Sequence, residues 1–132
     1  MNIDVIDQGV ALHFSSDRIG RSEEIRSGVV VSYDEKGLIV DILIKGAPAW
    51  IPPSPSSGTG TIPGIVMKYD RRVDALSLDA SAESYFESEE IQPGFIIDYD
   101  QNGKFKGLEL LDAERRFSRE AMDLIRRQAI LI

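Results

Sequence analysis

Asp98, Asp100, Asn102, Gly103 and Glu109 stand at the first, third, fifth, sixth and twelfth places of DYDQNGKFKGLE, residues 98–109. That is the spacing of an EF-hand calcium loop, where oxygen donors at alternate places and a bidentate carboxylate at the twelfth surround the ion. Such a loop also needs a helix on each side. Here the flanks FII and KFKGLELL are short, β-branched and aromatic, with no 3.6-residue stripe. A sister stretch, SYDEKGLIVDIL, puts Ser32, Lys36 and Leu43 at the first, fifth and twelfth places. Both stretches keep Tyr-Asp-x-x-Gly, which is turn chemistry. Asp34 or Asp100 bonds the backbone two residues on, and Gly37 or Gly103 supplies the left-handed residue of a type I turn with a G1 bulge. The reading is therefore a hairpin, with calcium at Asp98, Asp100, Asn102 and Glu109 as a remote alternative.

The remaining candidates for chemistry are few. His13 is the single histidine, and no partner for general-base or metal work lies near it in sequence. The acidic pairs Glu23-Glu24 and Glu89-Glu90 could divide acid and base roles. Neighbours on a strand point to opposite faces, however, so neither pair makes one site, and an acid that discourages edge pairing is the plainer reading. Tyr33, Tyr99, Glu24 and Glu90 are kept as ligand or interface candidates. Trp50, set among prolines, joins them as a docking residue. GTGTIPG (58–64) lacks the spacing and the following helix of a phosphate loop. No catalytic residue and no cofactor is assigned.

Composition narrows the class. The chain has 132 residues, 42% apolar and 28% charged, and no cysteine, which excludes disulfides and thiolate chemistry. Its formal charge of −7 argues against a phosphate-binding surface and so against nucleic acid. The arginines near the C-terminus are interleaved with acids, as on a solvated helix face. No run approaches the roughly 18 apolar residues of a membrane helix. A cytoplasmic location is expected.

The elements that must position these residues come in two similar sets. Residues 22–47 and 88–113 align without a gap at an offset of 66, with nine identities: Ser22/Ser88, Glu23/Glu89, Glu24/Glu90, Ile25/Ile91, Gly28/Gly94, Tyr33/Tyr99, Asp34/Asp100, Gly37/Gly103 and Ala47/Ala113. Upstream, ALHF (11–14) matches ALSL (75–78) at an offset of 64, which places a two-residue difference in the connector that follows and pairs His13 with Ser77. Each set opens with a further hairpin. Within the Tyr-Asp-x-x-Gly hairpins the turn puts Tyr33 opposite Leu38 and Val31 opposite Val40, and Ile97 opposite Lys106, making the first hairpin the more buried. Residues 47–64 hold five of the six prolines and read as a linker or crossover. From Asp112 to about Gln128, Phe117, Ala121, Leu124, Ile125 and Gln128 form an apolar stripe on one long helix, and the apolar tail AILI packs on the sheet or on another subunit.

The second set resembles the small bacterial family catalogued as domain of unknown function 2283. Tyr69, Asp70, Ala75, Leu76, Ser88, Glu89, Glu90, Pro93, Gly94, Asp98, Tyr99, Asp100, Gly103, Gly107, Glu109 and Leu111 carry the likeness. The first set is a degenerate version, with Ser27 for the proline and Asp41 for Gly107. The resemblance implies a fold and no activity.

The expectation is an α+β fold: two tandem antiparallel β-meander repeats related by a pseudo-two-fold, with a C-terminal amphipathic helix packed on the sheet. The repeats occupy 1–47 and 64–132, with a connector at 48–63, all in one compact unit. Such a chain is expected to act as a non-enzymatic protein-binding or assembly module, through a protein partner or self-association such as a homodimer, with no membrane role. The alternative is a small-ligand binder or enzyme with a site between the repeats.

Overall fold

The computed structural model describes residues 2–6, 9–26, 28–45, 61–62, 65–79, 85–103 and 105–132; Trp50 and most of the 48–63 connector lie outside them. The chain divides into two units, Met1–Trp50 with Glu114–Arg127, and Ile51–Ala113 with Gln128–Ile132.

In the first unit, β1 (Asn2–Ile6), β2 (Gly9–His13), β3 (Arg21–Arg26), β4 (Val29–Tyr33) and β5 (Ile39–Lys45) form an antiparallel sheet in the order β1-β2-β5-β4-β3. Period-2 alternation buries Leu12, Val29, Val31, Tyr33, Ile42 and Ile44. The C-terminal helical segment belongs to this unit, although sequence order sets it beside the second repeat. Its reason is the apolar stripe: Phe117 lies 4.9 Å from Phe14, bridges the Ile39 backbone, and is buried together with Ala121, Met122 and Ile125.

The expected single helix is two, α1 (Ala113–Arg116) and α2 (Arg119–Gln128). Ser118 starts the second: its Oγ accepts the Ala121 N–H at 3.1 Å and its carbonyl accepts that of Met122 at 2.9 Å, the bonds of an N-cap.

The second unit contains β6 (Thr61–Ile62), β7 (Ile65–Asp70), β8 (Ala75–Asp79), β9 (Tyr85–Gln92), β10 (Phe95–Asp100), β11 (Phe105–Leu110) and β12 (Ile130–Leu131). Its order is β12-β7-β8-β11-β10-β9, with β6 also on β7. The five strands β7-β8-β11-β10-β9 repeat the order of the first sheet. The connector's last residues thus form a short strand rather than plain linker, pairing Thr61 with Val66. The tail AILI adds β12 parallel to β7, leaving Ile130, Leu131 and Ile132 exposed. Two mainly antiparallel sheets and two short helices make the fold α+β.

Two details of register differ from the sequence reading. The tip is closed by the Asp34 N–H to the Leu38 carbonyl, so Tyr33 pairs with Ile39. A bulge at Val40 then slips the ladder once more, and Val31 pairs with Ile42. Lys106 is the bulge residue of β11, so Ile97 meets Leu108 instead of a lysine, and Phe95, Ile97, Leu108 and Leu110 are as buried as their counterparts. The two-residue difference lies in the opening hairpins: Ile6 pairs with Gly9, but Asp70 pairs with Ala75 across a longer turn. By strand pairing, the residue in the place of His13 is Asp79, because His13 faces Asp41 and Asp79 faces Gly107.

Candidate functional site

Of the glutamates that recur in both repeats, Glu24 and Glu90 hold backbone. Glu24 Oε2 accepts the Gly28 N–H at 3.1 Å, and Glu90 Oε2 accepts the Gly94 N–H at 3.1 Å. Each carboxylate spans a bulge, at Ile25 and at Ile91. The turn glycines have φ of 91° and 82°, a region that penalises a Cβ. The Glu24 carboxyl is held below the usual range by the Gly28 bond and then by the Lys45 charge, 3.5 Å away.

The turn aspartates Asp34 and Asp100 do the same work. Asp34 Oδ1 accepts the N–H groups of Lys36 and Leu38 at 2.8 and 2.9 Å, and Asp100 Oδ1 accepts that of Asn102 at 2.8 Å. Strands β10 and β11, not helices, flank the tip. Asp98 instead accepts the Ser88 hydroxyl at 2.6 Å. Glu109 sits beside it, its carboxyl raised by burial first and then by the charge and hydrogen bond of Asp98.

The interface candidates are not gathered within either unit. Glu24 pairs with Val30 and Tyr33 with Arg21, three residues apart along β4, or about 10 Å. Glu90 and Tyr99 are separated likewise, against Ile96 and Glu87. Tyr33 is buried, with the Arg21 guanidinium 4.2 Å above its ring. Burial, then Glu23, raises its hydroxyl pKa against Arg21 and Arg116. Tyr99 is half-buried and donates to Glu89 Oε1 at 3.4 Å. Glu87, Ser88, Glu89, Tyr99 and Gly103 line an open concavity of about 380 Å³.

One pairing escaped the sequence. His13 Nδ1 lies 2.8 Å from Asp41 Oδ1 on the neighbouring strand. Such a carboxylate orients an imidazole for base work at Nε2. The row across the strands runs Ser22, Ser32, Asp41, His13, with the two hydroxyls 2.7 Å apart. A serine nucleophile has to bond the imidazole; here the carboxylate stands between them. The dyad has the parts for proton transfer in an order that does not serve a serine. A signal for it would have been the placement of β2 beside β5, which spacing alone does not reveal. Among the described residues no helix is long and apolar enough to cross a membrane.

Sheet order corrects the expected meander: β7-β8 and β9-β10-β11 run as consecutive neighbours, but β8 crosses over to lie beside β11, and the same order holds in the first sheet, where β2 lies beside β5. Residues 67–114, from within β7 to within α1, match the family described as a protein of unknown function (DUF2283). No curated protein and no solved structure matches the chain.

Proposed function

We propose that the chain is a non-enzymatic protein-binding or assembly module made from two copies of one β unit. The observation that carries this reading is where the exposed apolar side chains lie. Tyr85 and Phe86 on β9 are 56% and 61% exposed, and Ile130 to Ile132 at β12 are 40% to 50% exposed. Both strands end their sheet among the described residues. Sheet edges carrying large apolar groups are templates for another chain. Shared strand order and bulges at equivalent places, Ile25/Ile91 and Val40/Lys106, support the duplication, since bulges are kept within families. A pseudo-two-fold between the repeats belongs to the same reading: a unit this small gains by pairing, and a tandem copy supplies the pair.

The test compares the full chain with a Tyr85→Ser/Phe86→Ser variant, by light scattering for self-association and by cross-linked capture from the native host. The variant is expected to lose a partner or an oligomer that the original chain has. Identical masses and identical captured proteins would overturn the reading.

A further inference from the structure

The two ends of the second sheet are unlike in charge and alike in apolar exposure. Strand β9 (YFESEEIQ) carries Glu87, Glu89 and Glu90 and no basic residue. At the other end lie three exposed cations: Lys68, which pairs with Ile130, and Arg71 and Arg72 in the turn after β7. The acids beside them serve that turn. Asp70 Oδ1 accepts the Arg72 N–H at 3.0 Å and lies 3.6 Å from Nε, and Asp74 Oδ1 accepts the Tyr69 hydroxyl at 2.6 Å. Of the unit's other lysines, Lys106 Nζ is bonded to Asp79 on β8 at 3.0 Å, three strands from β9, and Lys104 lies outside the described residues. Large apolar side chains are exposed at both ends, Tyr85 and Phe86 on β9 and Ile130 to Ile132 at β12.

Length and direction agree as well. Strands β6 and β12 together border β7 from Ile65 to Arg71, against the eight residues of β9. Following the antiparallel pairs from β7 through β8, β11 and β10, β9 runs in the direction of β7; β12, parallel to β7, runs the same way. A second copy set beside the first without being turned over thus brings β12 alongside β9 and parallel to it, with the buried faces of the two copies' sheets on one side. We infer that the chain assembles with itself head to tail, the β9 end of one copy's second sheet joining the β12 end of the next. Tyr85 and Phe86 meet Ile130 to Ile132, and Glu87 and its neighbours meet Lys68, Arg71 and Arg72. Charge selects this pairing over the symmetric ones, since β9 on β9 sets acids against acids and β12 on β12 sets cations against cations. Strand β3, which ends the first sheet, matches β12 less well: Glu23 and Glu24 already have Arg21 and Lys45 at 3.2 and 3.5 Å, and the strand exposes no large apolar side chain. A contact between unlike patches does not close about a two-fold axis, so copies add in a row or close only as a ring.

This inference rests on the binding and assembly reading and is tested apart from it. Light scattering follows the full chain over a range of concentrations. The original chain is expected to exceed the mass of a dimer as concentration rises. Tyr85→Ser/Phe86→Ser, which keeps only the β12 end, and Ile130→Ser/Leu131→Ser, which keeps only the β9 end, should each stay at the 14.7 kDa of one chain. Mixed in equal amounts, they should give a species of twice that mass and no larger one. Lys68→Glu/Arg72→Glu, which leaves every apolar residue in place, should shift the distribution toward monomer, and Glu35→Arg, at the β4–β5 tip of the other unit, should not. A monomeric original chain, assembly by either serine variant alone, a mixture that stays monomeric, or no effect of Lys68→Glu/Arg72→Glu would each overturn the inference. If the original chain is monomeric while Tyr85→Ser/Phe86→Ser loses a captured partner, the binding module stands and head-to-tail assembly falls; if that variant loses neither a partner nor an oligomer, both fall.

Discussion

The carboxylate of Glu90 accepts the backbone N–H of Gly94 at 3.1 Å, closing the β9–β10 turn over the bulge at Ile91, and Glu24 does the same for Gly28 at the same distance. A side chain so used is part of the turn. Glu90→Ala is expected to lower the urea midpoint and speed exchange of the Gly94 amide, while Glu90→Gln, which keeps an acceptor oxygen, falls between. For Glu24 the pH dependence has a defined sign. Its folded pKa is depressed by the Gly28 bond and then by Lys45. Its contribution is therefore present above the unfolded value and lost as pH falls through the lower folded one. The stability gap between the original chain and Glu24→Gln should shrink on acidification from about pH 7 to about pH 3. A gap that widens would be the wrong sign.

Gly107 is set by contact with its neighbour strand. A Cβ at this position would lie 2.6 Å from the Leu78 carbonyl oxygen, a backbone atom that cannot turn aside. Gly107→Ala is expected to cost about 1–3 kcal/mol, as overpacking does, with the loss of amide protection centred on the β8–β11 ladder. Asp41 holds the equivalent place in the first sheet, so Asp41→Gly in that ladder should relieve nothing and instead remove the partner of His13. Urea unfolding of the two variants distinguishes the cases.

The turns were legible because Asp-x-x-Gly carries its own mechanism: Asp34 and Asp100 bond the backbone locally, and no tertiary knowledge is needed. The β-rich class followed from short β-branched runs. The register was not legible, because the bulges at Val40 and Lys106 have no marker residue; a valine and a lysine serve equally. The His13–Asp41 pair, 28 residues apart, depends on β2 lying beside β5, a non-local choice that spacing does not encode. Nor did the apolar stripe of the helix say which sheet would receive it. Nothing in the sequence singled out Tyr85 and Phe86, whose place at a sheet edge depends on where β9 lies. The His13–Asp41 pair and the helix's choice of sheet concern long-range pairing, whereas each success concerns a group that acts within a few residues of itself.

Ser118 breaks the C-terminal helix where the apolar stripe alone predicts continuity. Its hydroxyl caps α2 through the Ala121 N–H. Ser118→Ala is expected to cost about 1 kcal/mol, the usual cost of losing an N-cap, whereas Ser118→Asp, which keeps an acceptor and suits the helix dipole, should hold or raise stability. Phe117 beside it is a packing residue, buried against Phe14. Phe117→Ala should therefore cost more, about 3–5 kcal/mol. Thermal or urea unfolding of the three variants gives the order; equal losses at Ser118 and Phe117 would deny the cap its separate role.

Glu109 supplies the opposite pH behaviour to Glu24. Burial disfavours its charged form first, and Asp98 adds to this by its charge and by a hydrogen bond. A carboxyl whose folded pKa is raised contributes stability that is full below its unfolded value and is lost as pH rises through the folded one. Above the ordinary glutamate range that contribution therefore falls away. Glu109→Gln should raise the urea midpoint at neutral pH, and the gain should vanish below the ordinary glutamate range. In Asp98→Asn the carboxyl carbon of Glu109, followed by NMR, should titrate lower than in the original chain yet still above an ordinary glutamate, because burial is the larger cause. A Glu109→Gln variant less stable at neutral pH than the original chain would mean that the Glu109 carboxylate has a stabilising partner, the reverse of the environment described for it.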